Sequence, residues 1–98
     1  MKVTILIPCY NECDTLETLI KNVKESGLTN PMEIIIVDDC STDGSRTLLQ
    51  EKLHGLVDQI IYHNKNRGKG AALKTGMEHA TGDILMIHYS GHGQQIAD

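Results

Sequence analysis

The sequence contains no tryptophan and no phenylalanine, and only three tyrosines among 98 residues. Any core must therefore be aliphatic, built from Ile, Leu, Val, Met and Ala. Hydrophobic residues make up 40% of the chain, which is enough to build one. There is no basic excess: the formal net charge is −4, so the chain lacks the positive footprint of a nucleic-acid-binding domain. No apolar run approaches the roughly 18 residues needed to cross a bilayer. The opening Met1-Lys2-Val3-Thr4-Ile5-Leu6-Ile7-Pro8 is too short for a signal peptide and is closed by proline. No membrane segment is expected, and a cytoplasmic location is the default. Cysteine is scarce as well. Cys9, Cys13 and Cys40 are odd in number and match no familiar zinc spacing, which favours reduced thiols over a disulfide framework. Ninety-eight residues allow one domain, so 1–98 is expected to fold as a single α/β unit. No internal repeat or low-complexity stretch divides it.

Against these absences stands one dense stretch, Ile34-Ile35-Ile36-Val37-Asp38-Asp39-Cys40-Ser41-Thr42-Asp43-Gly44. A continuous β-branched run reads as a strand buried on both faces. It delivers two adjacent carboxylates to the strand's carboxyl end, the edge where open α/β sheets bind ligands. Val3 to Ile7 reads as a first strand, ended by Pro8, which cannot donate to a ladder. Asn11 is then a candidate N-cap for a helix with Leu16, Leu19, Ile20 and Val23 on one face and Gly27 as its C′ glycine. Ser41 or Thr42 is a candidate cap for a second helix, with Leu48, Leu49 and Leu53 inward and Gly55 at its end. Val57 to Tyr62 is a third, more polar strand that suits a sheet edge. A basic glycine-rich loop, His63 to Gly70, leads into a third helix. Its Ala72, Gly76 and Ala80, spaced by four, let it lie close on a sheet. Asp83 to Tyr89 is the fourth strand. The order βαβαβαβ predicts a three-layer Rossmann- or flavodoxin-like fold. Its four-stranded parallel sheet takes the order 3-2-1-4, with the switch point between strands one and four. The most apolar strands, the first, second and fourth, are expected to be the central ones.

Three groups of residues can carry chemistry. Of Asp38 and Asp39, one can accept from a nucleobase N–H or a ribose hydroxyl while the other orients a loop; the bland alternative is that Asp38 caps the following turn and Asp39 is solvated. Arg67 and Lys69, with backbone N–H groups at a helix N-terminus, can hold a diphosphate, or can simply be a solvated loop. Pro8, Tyr10 and Glu12 lie at the end of the first strand. There Tyr10 can stack on a ligand, or the residues can merely form the turn.

Taken together, these groups resemble the N-terminal half of a family 2 glycosyltransferase of the nucleotide-sugar-binding GT-A type, close to the dolichyl-phosphate mannose synthase-like members. The resemblance rests on Ile7-Pro8-Cys9-Tyr10-Asn11-Glu12, Ile36-Val37-Asp38-Asp39-Cys40-Ser41-Thr42-Asp43-Gly44-Ser45, Asn66-Arg67-Gly68-Lys69-Gly70-Ala71-Ala72-Leu73 with Gly76, and Ala80-Thr81-Gly82-Asp83-Ile84. It covers residues 3–82. It implies that Pro8, Tyr10, Glu12 and Asp38 or Asp39 border the nucleoside and that Arg67 and Lys69 lie near the phosphates of a UDP- or GDP-sugar.

The pattern then departs from that family. Its fourth strand should run into an Asp-x-Asp pair that carries a divalent cation, whereas here the stretch is His88-Tyr89-Ser90-Gly91, with no acid. No metal site and no required cofactor are expected. Residues 83–94 resemble instead the strand and Tyr-Ser-Gly-His-Gly turn of caspase-like proteases, which implies that His92 is a general base for a thiolate. With strands one and four adjacent, Cys9 and His92 could meet as a catalytic pair, and Cys9, Cys40 and His92 or His88 as a soft-metal site. The economical account is a composite joined near 81–83. That leaves three expectations for function: a nucleotide- or nucleotide-sugar-binding domain without transferase activity as it stands, a structural or engineered α/β chain with no selected activity, and a Cys–His hydrolase. The open edge of the strand at 84–87 is expected to favour a homodimer.

Overall fold

The computed structural model describes residues 1–25 and 30–88. The expectations on Gly27 and on His92 lie outside these residues. Four parallel strands form one sheet: β1 (Val3–Cys9), β2 (Met32–Asp38), β3 (Gln59–Tyr62) and β4 (Ile84–Ile87). Their order is β3-β2-β1-β4, as the sequence predicts. Three helices connect them: α1 (Leu16–Lys24), α2 (Ser45–Leu48) and α3 (Lys69–His79). After Leu48 the second helix widens into a π turn over Leu49–Leu53 and tightens into a 3-10 turn over His54–Leu56.

Because side chains alternate across a strand, β2 serves two cores. Ile34 and Ile36 join Ile5, Ile7, Leu16, Ile20, Leu49 and Leu53 on the face covered by α1 and α2. Ile35 and Val37 join Leu6 and Ala72 on the face covered by α3. This second layer is thin because Gly76 rests on the sheet: a Cβ built there would overlap the end of the Leu6 side chain. The row of small residues thus seats α3 as predicted, through Ala72 and Gly76, both buried.

Pro8 does not end β1, which runs on to Cys9. The reason is its parity. Leu6 O faces β4 and accepts from His88 N, while Cys9 O faces β2 and accepts from Asp39 N. Pro8 shares the parity of Leu6, so its missing N–H points to the side where β4 pairs no further than Ile87 with Leu6. The proline therefore costs the β1–β2 ladder nothing. Asn11 is not a helix cap either. It takes a left-handed φ of 54°; its N–H donates to Ser41 Oγ and its Oδ1 accepts from Thr42 N. The helix starts only at Leu16. Nor do Ser41 and Thr42 cap the second helix, which follows Gly44 at φ 103°.

Among the described residues β4 is an outer strand beside β1, where the order 3-2-1-4 and the expected open edge put it, and not in the centre that its composition suggests. Ile84, Leu85, Met86 and Ile87 are 38–42% exposed, on both faces. Its start is pinned by polar contacts at the amino end of the sheet. Glu33 accepts from Thr4 Oγ1, Thr81 N and Thr81 Oγ1 at 2.7–3.0 Å, and Gly82 N donates to Thr4 Oγ1. A Cβ on Gly82 would meet Thr4 Oγ1 at 2.5 Å, so only glycine fits this approach. Residues 81–83, the expected junction, are continuous with the rest of the packing.

Candidate functional site

The carboxyl end of the sheet collects the turn after β1, the turn after β2 and the loop after β3. The first two are laced together. Ser41 Oγ accepts from Asn11 N and Ser45 Oγ from Glu12 N, at 2.9 and 3.0 Å. Asp43 accepts from Cys13 N through one carboxylate oxygen and from the N–H and hydroxyl of Ser45 through the other. Burial pushes the Asp43 carboxyl up, but these bonds outweigh it and hold it below the usual Asp range.

Asp38 and Asp39 leave the sheet on opposite faces. Asp38, fully buried, turns towards α2. Its two oxygens accept from Ser41 N at 3.1 Å and Ser41 Oγ at 2.6 Å, and Arg46 Nε stands 3.2 Å from Oδ2. That nitrogen is buried and aims its proton at no acceptor, so the contact is an ion pair without an aligned hydrogen bond. The guanidinium also lies over the Tyr62 ring, 4.9 Å from its centroid.

Asp39 turns towards α3. Oδ1 accepts from His63 Nδ1 at 2.8 Å and Arg67 N at 2.9 Å; Oδ2 accepts from Gly68 N at 2.8 Å. His63, itself buried, places its other ring nitrogen 2.9 Å from Thr75 Oγ1 on α3. Burial raises the Asp39 carboxyl, and the bonds from His63, Arg67 and Gly68 more than reverse this. Asp39 is therefore not solvated: it ties the loop after β3 to the end of β2, while Asp38 holds its own turn and α2.

Tyr10, 43% exposed, follows the end of β1. Pro8 and Glu12 are half-buried beside it in the chain, Arg67 is exposed, and Lys69 opens α3. The structure thus brings Pro8, Tyr10, Glu12, Asp38, Asp39, Arg67 and Lys69 to one edge. Cys9 is there too but is 1% exposed. Burial first, then the Asp38 charge, push its thiol up to about 12, although bonds from Ser41 and Ser45 pull the other way. A nucleophile needs the thiolate, so this environment opposes the expected catalytic role. Cys40 Sγ lies 3.6 Å from Asn64 O. Among the described residues no three of His, Cys, Asp and Glu gather as a metal cluster, and residues 88–91 contain no hard oxygen anion. A hard divalent cation favours carboxylate oxygens, which His88-Tyr89-Ser90-Gly91 do not offer.

Sequence reasoning singled out neither His63 nor Thr75 nor Arg46. The signal was the register: Asp38 pairs with Tyr62, so Asp39 and His63 leave neighbouring strands side by side.

Comparison with known proteins bears on the family and the fold. The model of Glycosyl transferase family 2 matches residues 4–88. The undecaprenyl-phosphate 4-deoxy-4-formamido-L-arabinose transferase of Yersinia enterocolitica is 38% identical over 89 residues, covering 87% of this chain and 27% of that protein. The mannosyltransferase PcManGT from Pyrobaculum calidifontis, solved with GDP-Man and Mn2+, superposes with a TM-score of 0.76 at 32% identity, over 89% of this chain and 26% of its own. S. aureus TarS 1-349 with UDP-GlcNAc has the same fold, with a TM-score of 0.77 at 22% identity, over 91% and 26%. The chain spans about a quarter of the length of these relatives. The match crosses 81–83 and takes in β4, so the caspase-like segment and the junction find no support. The fold is the Rossmann-like arrangement of GT-A glycosyltransferases, and the chain belongs to glycosyl transferase family 2.

Proposed function

We propose that this chain is the donor-binding portion of a glycosyltransferase and holds a UDP- or GDP-sugar at the carboxyl edge of its sheet. The observation that carries this reading is the similarity to a mannosyltransferase solved with GDP-Man and Mn2+. The base stacks on Tyr10, beside Pro8 and Glu12. Asp39 can still accept from a nucleobase N–H, since a carboxylate offers about four lone-pair directions and the three bonds above leave one. Arg67 and Lys69 face the diphosphate. Asp38 acts through the turn it shapes. These 98 residues bind the donor without transferring the sugar, since residues 88–91 contain no acid.

The test is an amide NMR titration with UDP, GDP and GDP-mannose, with and without Mn2+. Shifts at Tyr10, Asp39 and Lys69 are expected, together with no release of GDP from GDP-mannose. A well-dispersed spectrum unmoved at millimolar nucleotide overturns the reading. The exposed apolar edge of β4 supports a second, separate proposal: two copies associate there. Sedimentation of a monomer at every concentration would reject it.

A further inference from the structure

We infer that His63 is a positioning residue for the phosphate-facing loop: wedged between Asp39 and Thr75, it fixes the carboxylate that holds the Arg67 and Gly68 amides, and so sets the direction from which Arg67 and Lys69 approach a nucleoside diphosphate. This rests on the nucleotide-binding reading and deepens it.

Ionised Asp39 can only accept, so His63 Nδ1 carries the proton in the 2.8 Å contact. Nε2 lies 2.9 Å from the Thr75 hydroxyl, which can either donate to it or accept from it. The imidazole thus has a partner at both nitrogens and joins the end of β3 to the second turn of α3. The remaining bonds of Asp39 all go to one place. Arg67 N and Gly68 N are consecutive amides at the mouth of α3, and Gly68 O accepts from Ala72 N in the first turn of that helix. Gly68 has a φ of 94°, in the left-handed region, where the backbone has no preference of its own to keep it. Asn66 Oδ1, 3.0 Å from Gly68 N, is the other side chain bonded to that amide among the described residues. A histidine that only filled core space would have no reason to be tied to a carboxylate spent on two loop amides. Here every bond in the chain His63–Asp39–Gly68 leads to the residue before Lys69.

Three variants separate positioning from packing. In His63→Asn the side-chain amide stands in for Nδ1–H and keeps the Asp39 bond. His63→Gln reaches towards Thr75 instead, and His63→Leu keeps volume without either bond. Each is first checked for a dispersed amide spectrum. In the ligand-free protein, His63→Gln and His63→Leu should speed Gly68 amide exchange about tenfold, the weight of one lost hydrogen bond, while His63→Asn stays within about threefold of the parent. By calorimetry, GDP and UDP affinity should fall by about tenfold in the first two and recover in His63→Asn. Equal behaviour of the Asn and Gln variants, or unchanged exchange in His63→Leu, overturns the inference. Should His63→Leu not fold, the Asn and Gln pair still decides. If the parent protein binds neither nucleotide while the exchange pattern holds, His63 still positions the loop, and it is the nucleotide-binding reading that fails.

Discussion

Asp38 and Asp39 are neighbours in the chain, yet the pleat sends them to opposite faces of the sheet and into different kinds of company. Asp38 sits under α2 with a guanidinium and a serine turn, all drawn from within eight residues of its own position. Asp39 sits under α3 with a histidine and two amides that lie 24 to 29 residues further on. The first tie is local and holds a turn. The second is long-range and holds one loop against another element. The packing behind them differs in the same sense: the α1–α2 face is filled by large aliphatic side chains, the α3 face by a helix backbone lying almost on the strands.

Breaking each side in turn tests this contrast. Asp38→Ala leaves the buried Arg46 Nε beside no anion and the Ser41 N–H unmatched. A loss of about 3 kcal/mol is expected in urea unfolding, discounted from the value for a fully buried pair because Arg46 is partly exposed. Gly76→Val forces α3 off Leu6 and should cost about 2 kcal/mol by overpacking. The same substitution at exposed Gly70, where no atom crowds a Cβ, should cost nothing and can gain a few tenths of a kcal/mol in helix propensity. Asp39→Asn keeps the shape but replaces one acceptor oxygen with an NH2 that faces an N–H, which loses the Gly68 bond if the oxygen stays on His63 and Arg67, for about 1 kcal/mol.

The pH dependence sharpens the comparison further. The folded Asp39 carboxyl lies below its usual 3.8. A depressed carboxyl adds stability above the unfolded value and loses it as the pH falls through the folded one. The parent should therefore weaken below about pH 4, and Asp39→Asn should flatten that acid limb of urea midpoints against pH. The smallest expected effect is none at all: at pH 8 iodoacetamide should leave Cys9 unlabelled in the folded protein, because its thiol is buried and pushed up to about 12. Labelling of Cys9 before global unfolding would revive a reactive thiol at this edge.

The strands were legible in the sequence because burial on both faces leaves an unbroken aliphatic run, and the βαβ alternation then limits the order. The start of α1 was not. Asn11 looks like a cap by composition, but Ser41 and Thr42 claim its polar groups from thirty residues away. The same physics hid His63. Its partners are set by strand register and not by spacing along the chain, so it reads as one more polar residue in a basic loop. The edge position of β4 contradicted its composition because apolar content reports what a strand would like to bury, not what lies beside it.

One missing hydrogen has a wider consequence. Pro8 continues β1 in shape but brings no N–H to its β4 side, one residue pair beyond the last that β4 makes among the described residues. The row of donors on that side of β1 therefore stops one residue short of its carboxyl end, beside the topological switch point. A single imino acid in a well-formed strand thus thins the bonding on one side of it while leaving the ladder on the other side whole.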